Sequence, residues 1–182
     1  MDLPTTKGSS VGIAEPSTAL FPPGKGGGDG VDYGYKGKGV LIHLIVDGNG
    51  MPLSACTTAA NGNEREQVEP LLDNLNVETN KPGRPPKNPK KMAADKGYDK
   101  EELRRELRRR GIQPQIPRKK NAKTRRGPKT KMDAPRFQVE RAFSWFQRKF
   151  RRLVVRWERL PHCFEAFLSL GITFMWFQKL VG

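Results

Sequence analysis

The chain is poor in the residues that staple or metallate small domains. Its 182 residues include two cysteines, Cys56 and Cys163, and two histidines, His43 and His162. That number and spacing exclude a disulfide scaffold and a structural zinc site, and they fit a reducing compartment. No charged-then-apolar leader opens the sequence, so no signal peptide is expected. Long apolar runs are scarce too. The one that raises a membrane question, Cys163 to Leu180, contains Glu165, Ser169 and Gln178 and barely reaches spanning length. A buried C-terminal helix is expected there instead.

Acidic residues are the minority charge, 19 against 34 Lys and Arg, which leaves a formal net charge of +15. The imbalance is local. Residues 1–80 carry 5 basic and 10 acidic side chains, and residues 81–182 carry 29 and 9. A polyanion, most simply nucleic acid, is therefore expected to meet the second half of the chain. Glycine (19) and proline (15) are plentiful, so much of the chain is expected to be loop.

The β-branched run Val40–Val46, the turn Asp47-Gly48-Asn49-Gly50 and the segment Pro52–Thr58 predict an antiparallel hairpin. Ala19–Phe21 reads as a strand end, and Gly24–Gly30 as a loose turn. A helix is predicted from Glu64 to about Leu75, with Val68, Leu71, Leu72 and Leu75 on one face. Short strands follow at Lys90–Ala94 and Gln113–Pro117. Between them lies a helix, Lys100–Arg110, capped by Asp99 and ended by Gly111. Two further helices are expected near 134–153 and 161–180. Basic loops fall near 80–91 and 118–133, and residues 1–16 look irregular. The order is that of a mixed α/β domain.

Two carboxylates stand out. Asp95 leaves an apolar strand directly into Gly97-Tyr98, and strand C-terminal ends are where α/β folds place chemistry. Glu140 shares a helix face with Arg136 at i, i+4 spacing, among Phe137, Phe143, Trp145 and Phe146. A glutamate in such apolar company calls for a partner, a metal ion or Arg136. Carboxylates converging in a basic protein suggest two-metal phosphodiester chemistry.

The ordered blocks "GYKGKGVLIHLIVDGNGMPLSACTTAANGNEREQV", "ADKGYD", "LRRRGIQPQIP" and "RFQVERAFSWFQRKFRRLVVRWER" resemble bacterial transposases of the insertion-sequence-5 group, within the insertion-sequence-4-like DDE superfamily. The resemblance runs from about Ser17 to the C-terminus. It implies an RNase H-like mixed sheet with flanking helices over residues 17–182, and three carboxylates holding two Mg²⁺ ions that cut and join DNA strands. Asp95 falls on the second catalytic aspartate, Glu140 on the catalytic glutamate and Arg136 on the signature arginine before it. Asp133 and Gln147 replace the signature tyrosine and lysine, with Arg148 or Lys149 as substitute cations.

The first aspartate falls on Glu15, beside Pro16, where the extra methylene shifts the carboxylate by ~1 Å. Asp29, Asp32 and Asp47 are lower-ranked stand-ins. The start looks degraded or frameshifted, as in the C-terminal part of a transposase. The resemblance further implies double-stranded DNA partners (element ends and target), a homo-oligomer in the DNA complex, a bacterial cytoplasm with nucleoid association, and no membrane. The alternative is an inactive DNA-binding remnant.

For DNA contact the residues are Arg118, Lys119, Lys120, Arg125, Arg126 and Arg136, continued along the late helix by Arg148, Lys149, Arg151, Arg152 and Arg156. Such blocks give phosphate affinity without base reading. The segment Lys81–Lys87 faintly resembles an AT-hook. Gly24–Gly30 lacks the Lys-Ser/Thr of a P-loop, and Asp47–Gly50 lacks the downstream ligands of an EF-hand.

Overall fold

A computed structural model describes residues 10–13, 20–75, 88–119 and 137–181. Among the described residues six strands form one sheet: β1 (Ser10–Ile13), β2 (Asp32–Gly34), β3 (Gly37–Val46), β4 (Pro52–Ala59), β5 (Lys91–Ala93) and β6 (Gln113–Gln115). The helices are α1 (Val68–Asp73), α2 (Glu101–Arg109), α3 (Phe137–Lys149) and α4 (Pro161–Val181). β4 pairs antiparallel with β3, and β3 antiparallel with β1. β1, β5 and β6 are parallel neighbours, and short β2 pairs with the start of β3.

β3 is buried from Gly39 to Val46, which explains its near-continuous apolar sequence. Its alternating side chains serve two cores. Val40, Ile42, Leu44 and Val46 pack with Val139, Ala142, Phe143 and Phe146 of α3 and with Phe164, Leu168 and Met175 of α4. Ile45 faces the other way, onto Val68, Leu71 and Leu72 of α1, Met92 of β5, and Leu103 and Leu107 of α2. Helices thus cover both faces of the sheet.

The hairpin closes as its turn chemistry dictates. Asp47 Oδ1 accepts from the backbone N–H groups of Asn49 and Met51, both at 2.8 Å. Of the turn's two glycines, Gly50 alone takes positive φ (+82°). The helix predicted from Glu64 begins instead as a 3₁₀ turn, Glu64–Gln67, and becomes α1 at Val68. Pro70 has no N–H for the Glu66 carbonyl, so the α ladder cannot run back through that turn.

Residues 10–13 were expected to be irregular and form β1, the strand between β3 and β5. Of the strand end expected at Ala19–Phe21, Ala19 lies outside the described residues and Leu20 makes an isolated bridge to Ile42. The glycine loop is packed where a loose turn was expected. A Cβ on Gly26 would stand 1.9 Å from the Trp157 carbonyl oxygen, and one on Gly28 2.2 Å from that of Arg159. Only glycine permits this backbone-to-backbone approach.

Candidate active site

Asp95 lies two residues beyond β5, after buried Met92, Ala93 and Ala94, and is half-buried. Its φ/ψ of −71°/166° is extended, and its Oδ2 accepts from the Gly97 N–H at 2.9 Å, starting the 3₁₀ turn Lys96–Tyr98. This Asx turn fixes the carboxylate where the strand leaves the core. Tyr98 beneath it is buried. Burial pushes its phenol pKa up, and the charges of Glu64 and Asp95 add to that push.

The same turn is held from the side by Arg65, whose Nε donates to the Gly97 carbonyl at 2.7 Å. Neighbouring Glu64 has its carboxyl pKa raised by burial, against the lowering influence of Lys36 and Arg65. Sequence reasoning passed over Glu64 and Arg65. The signal available was two charged residues directly after the Asn61-Gly62-Asn63 turn, at the head of an apolar helix.

The register brings a second chain segment to this place. Gly12 of β1 pairs in parallel with Ala93 of β5, and Ser10 with Lys91. β1 and β5 therefore run out on the same edge of the sheet, β1 two residues before Glu15 and β5 two before Asp95. Glu15 itself lies outside the described residues, as do Arg136, Lys120, Arg125, Arg126, Asp133 and the segment Lys81–Lys87.

Glu140 sits in the first turn of α3 and is exposed. The helix is amphipathic, with Val139, Ala142, Phe143 and Phe146 turned into the core, so Glu140 faces solvent and needs no buried partner. That corrects the expectation drawn from its aromatic neighbours. Carboxylate oxygens are the donors a hard dication takes. Among the described residues no three His, Cys, Asp or Glu side chains gather closely enough to hold a metal ion. Asp95 and Glu140 alone do not make a complete site.

Asp47, Asp32 and Asp99 are occupied by the backbone and by neighbours. Asp47 holds its own turn, as above. Asp32 accepts from the Tyr33 N–H at 2.7 Å and from Asn61 Nδ2 at 2.7 Å. Asp99, expected to cap α2, does not do so, because Lys100 stands at the N-cap. It pairs instead with buried Arg104 at 2.8 Å and accepts from the Lys119 N–H at 2.7 Å. Burial, the largest influence on the Asp99 pKa, raises it. The Lys119 amide and the Arg104 and Arg118 charges outweigh burial and hold the pKa below the usual carboxylate value.

Several arginines, Arg118 and Arg152 of the expected DNA contacts among them, are already paired with carboxylates. Arg110 meets Asp73 at 2.6 Å and Glu106 at 2.7 Å, Arg109 meets Glu106 at 2.6 Å, and Arg118 meets Glu101 at 3.0 Å. Hydrogen bonds from Arg109 and Arg110 lower the Glu106 pKa to about 2. Arg152 pairs with Glu158 at 2.7 Å, and Lys149 donates to Gln178 Oε1 at 2.7 Å.

Arg156 is a correction outright, being buried and no part of any surface. Its guanidinium donates to the carbonyls of Asp29 (2.6 Å), Glu158 (2.9 Å) and Arg159 (3.2 Å), clamping the glycine loop. Arg148, Lys149, Arg151 and Lys119 remain exposed.

Two comparisons bear on this arrangement. A family model described as the transposase DDE domain matches residues 8–176. A Burkholderia cepacia protein assigned as a transposase for insertion sequence element IS402 is 39% identical over 138 residues, 76% of this chain. The matched region spans 63% of that protein, so the chain corresponds to less than two thirds of its relative's length.

Proposed function

The chain belongs to the DDE transposase-domain family, and from that premise we propose that it catalyses metal-dependent cleavage and transfer of DNA strands in the transposition of an insertion sequence. One observation carries the reading furthest: the parallel pairing of Gly12 with Ala93, which sends the ends of β1 and β5 out side by side. Asp95 and Glu140 would hold the metal, Mg²⁺ in this reading, with Glu15 as the third ligand. The chemistry two such ions would supply, if bound there, is activation of a water or 3′-hydroxyl nucleophile and offset of charge on the leaving oxygen.

The chain's own groups do the positioning. The Asx turn at Gly97 and the Arg65 bond to its carbonyl fix the Asp95 carboxylate. Exposed Arg148, Lys149 and Arg151 lie at and beyond the end of the helix that bears Glu140 and hold the DNA backbone. An RNase H-like class and the insertion-sequence-5 grouping belong to the same proposal. The first is supported by a sheet that joins an antiparallel hairpin to three parallel strands, with helices on both faces, and the second by the sequence blocks around Asp95 and Glu140. No helix of the described residues is long and apolar enough to cross a membrane, and the proposed site of action is the bacterial cytoplasm.

A second reading, DNA binding without strand chemistry, is favoured by the sequence at the first catalytic position, where Glu15 stands beside Pro16 in place of the family's aspartate. A Mg²⁺- or Mn²⁺-dependent nicking assay on DNA decides between the two, with Asp95→Ala as control. Metal-dependent cleavage lost in the variant supports the enzyme. Equal background cleavage by both proteins supports the binding-only reading.

A further inference from the structure

The hairpin that opens β3 holds two tyrosines away from either core. β2 and β3 are joined through Tyr35-Lys36, and Gly37 after them takes a φ of +110°, which closes the turn. Such turns ordinarily take Gly, Asn or Asp. Here Tyr35 is wholly exposed and Tyr33 is 69% exposed, so neither ring adds the apolar burial its size allows. The base of the hairpin is nonetheless fixed. A Cβ on Gly34 would stand 2.2 Å from the Ala60 carbonyl oxygen, and the Ala60 N–H donates to the Gly39 carbonyl at 3.2 Å. Asn61 Nδ2 donates to Asp32 Oδ2 at 2.7 Å. A two-stranded ribbon alone is marginal in water, but this one is anchored and shows its rings to solvent from a set place.

That place is on the edge of the sheet that carries Asp95. β3 runs antiparallel to β1, with Ile13 opposite Ile45, so the start of β3 extends beyond the end of β1. Asp95 leaves the same edge two residues after Ala93, which pairs with Gly12. At ~3.3 Å per residue, the hairpin tip stands roughly 20 Å from Asp95 along the strand. A short segment ties the two together. Asn61 bonds Asp32 at the hairpin base, and four residues later Arg65 Nε donates to the Gly97 carbonyl at 2.7 Å, in the turn that Asp95 starts.

We propose that the β2–β3 ribbon enters the major groove of duplex DNA, with Tyr35 against base edges and Lys38 on a flanking phosphate, about six base pairs from the bond at Asp95 (~3.4 Å per pair). The proposal rests on the function proposed above and adds to it a point of sequence reading. A two-stranded ribbon fits the major groove, and a tyrosine offers bases both a hydroxyl and an apolar ring. Charge favours the same occupant. The exposed charges of the tip are cations, Lys36 and Lys38, with Lys38 Nζ 5.7 Å over the Tyr33 ring. The hairpin's carboxylate, Asp32, is engaged by the Tyr33 N–H and by Asn61. An acidic protein would find the same lysines, but only a DNA bound at Asp95 must also pass this edge.

Fluorescence anisotropy of the full chain tests the proposal, with a labelled mixed-sequence duplex of ~30 base pairs at ~50–200 mM KCl. EDTA is present, so no strand is cut. The expected result is that Tyr35→Ala binds about 10-fold more weakly with the salt slope of wild type. Lys38→Ala should instead lower the slope by about 1. Selection from a duplex library with a randomised core should show Tyr35→Ala losing the wild-type preference over a short run of positions. Tyr35 is exposed in a turn, so its melting temperature should be unchanged; should Tyr35→Ala fail to fold, Tyr35→Ser is read by the same criteria. Wild-type affinity in the variant overturns the proposal and assigns the hairpin to a protein partner, and a wild type that binds no duplex overturns it as well. Weaker binding with the preference intact overturns the base contact. A loss confined to a single-stranded probe overturns the groove in favour of stacking on unpaired bases. Nicking is not read here, so a failure of the hairpin and a failure of the strand chemistry are told apart.

Discussion

Arg104 Nη2 lies 2.8 Å from Asp99 Oδ1, with both side chains almost sealed from solvent, and the same nitrogen donates to the Ile116 carbonyl. One ion pair thereby ties the turn after Asp95 to α2 and to the end of β6. Breaking a buried pair by removing one partner typically costs about 3–5 kcal/mol. Asp99→Ala should therefore lower stability by roughly 3 kcal/mol in urea unfolding. Because the Asp99 pKa is lowered in the folded state, its contribution is complete above the unfolded carboxylate value. It is lost as pH falls through the lower folded value, so wild type and Asp99→Ala should converge in stability at the acid end.

Asp95 has a structural role and a proposed chemical one, and these can be separated. Asn serves as well as Asp in an Asx turn, so Asp95→Asn should retain the bond from the Gly97 N–H and leave the melting temperature within about a degree of wild type. The amide lacks the charge a divalent ion requires, so metal-dependent nicking should fall by ~10³-fold or more. Asp95→Ala should lose the turn as well, at a cost of about 1 kcal/mol. Unimpaired nicking by Asp95→Asn would remove the residue from the proposed site.

Burial lowers the His43 pKa to about 4 from an ordinary 6.5, with the ring bonded to Thr58 Oγ1 at 2.8 Å. The folded state holds the neutral imidazole, so its advantage is whole above pH 6.5 and drains away as pH falls toward the folded value of about 4. Wild type should lose on the order of 3 kcal/mol across that window from this group. His43→Gln should lack that part of the acid slope, as read from urea midpoints measured at a series of pH values.

Arg156 and Arg151 test the division between clamp and surface. Arg156→Met should destabilise the chain by about 3 kcal/mol, because three carbonyls lose their donor. Any DNA affinity measured on the folded protein should keep its salt dependence. Arg151→Ala should leave stability untouched and reduce the slope of log K against log salt by about 1 for a lost phosphate contact. Equal slopes for wild type and Arg151→Ala would place the DNA path elsewhere.

The hairpin β3–β4 was legible because its determinants are local: a β-branched run, an Asp-Gly-Asn-Gly turn and a second extended segment. α2 was legible to within a residue from its leucines and from Gly111, whose φ is +77°. β1 was not. Ser10–Ile13 has four residues and one glycine, and it becomes a strand because β3 and β5 flank it, from segments more than 30 and 77 residues away. The arginines were visible but their partners were not. Arg104, Arg110 and Arg156 find carboxylates or carbonyls that only the folded chain brings near. Likewise α4 shows as an apolar helix in sequence, while its division into a buried and an open stripe depends on where the sheet lies.

By itself the sequence determined the charge asymmetry, the hairpin, the helical stretches and the blocks around Asp95 and Glu140, because composition, period and turn chemistry act over a few residues. The tertiary structure alone decided which cations are spent inside the fold, that Asp99 anchors rather than caps, and that β1 and β5 leave the sheet side by side. Those outcomes rest on pairing between distant segments, and such pairing has no local signature.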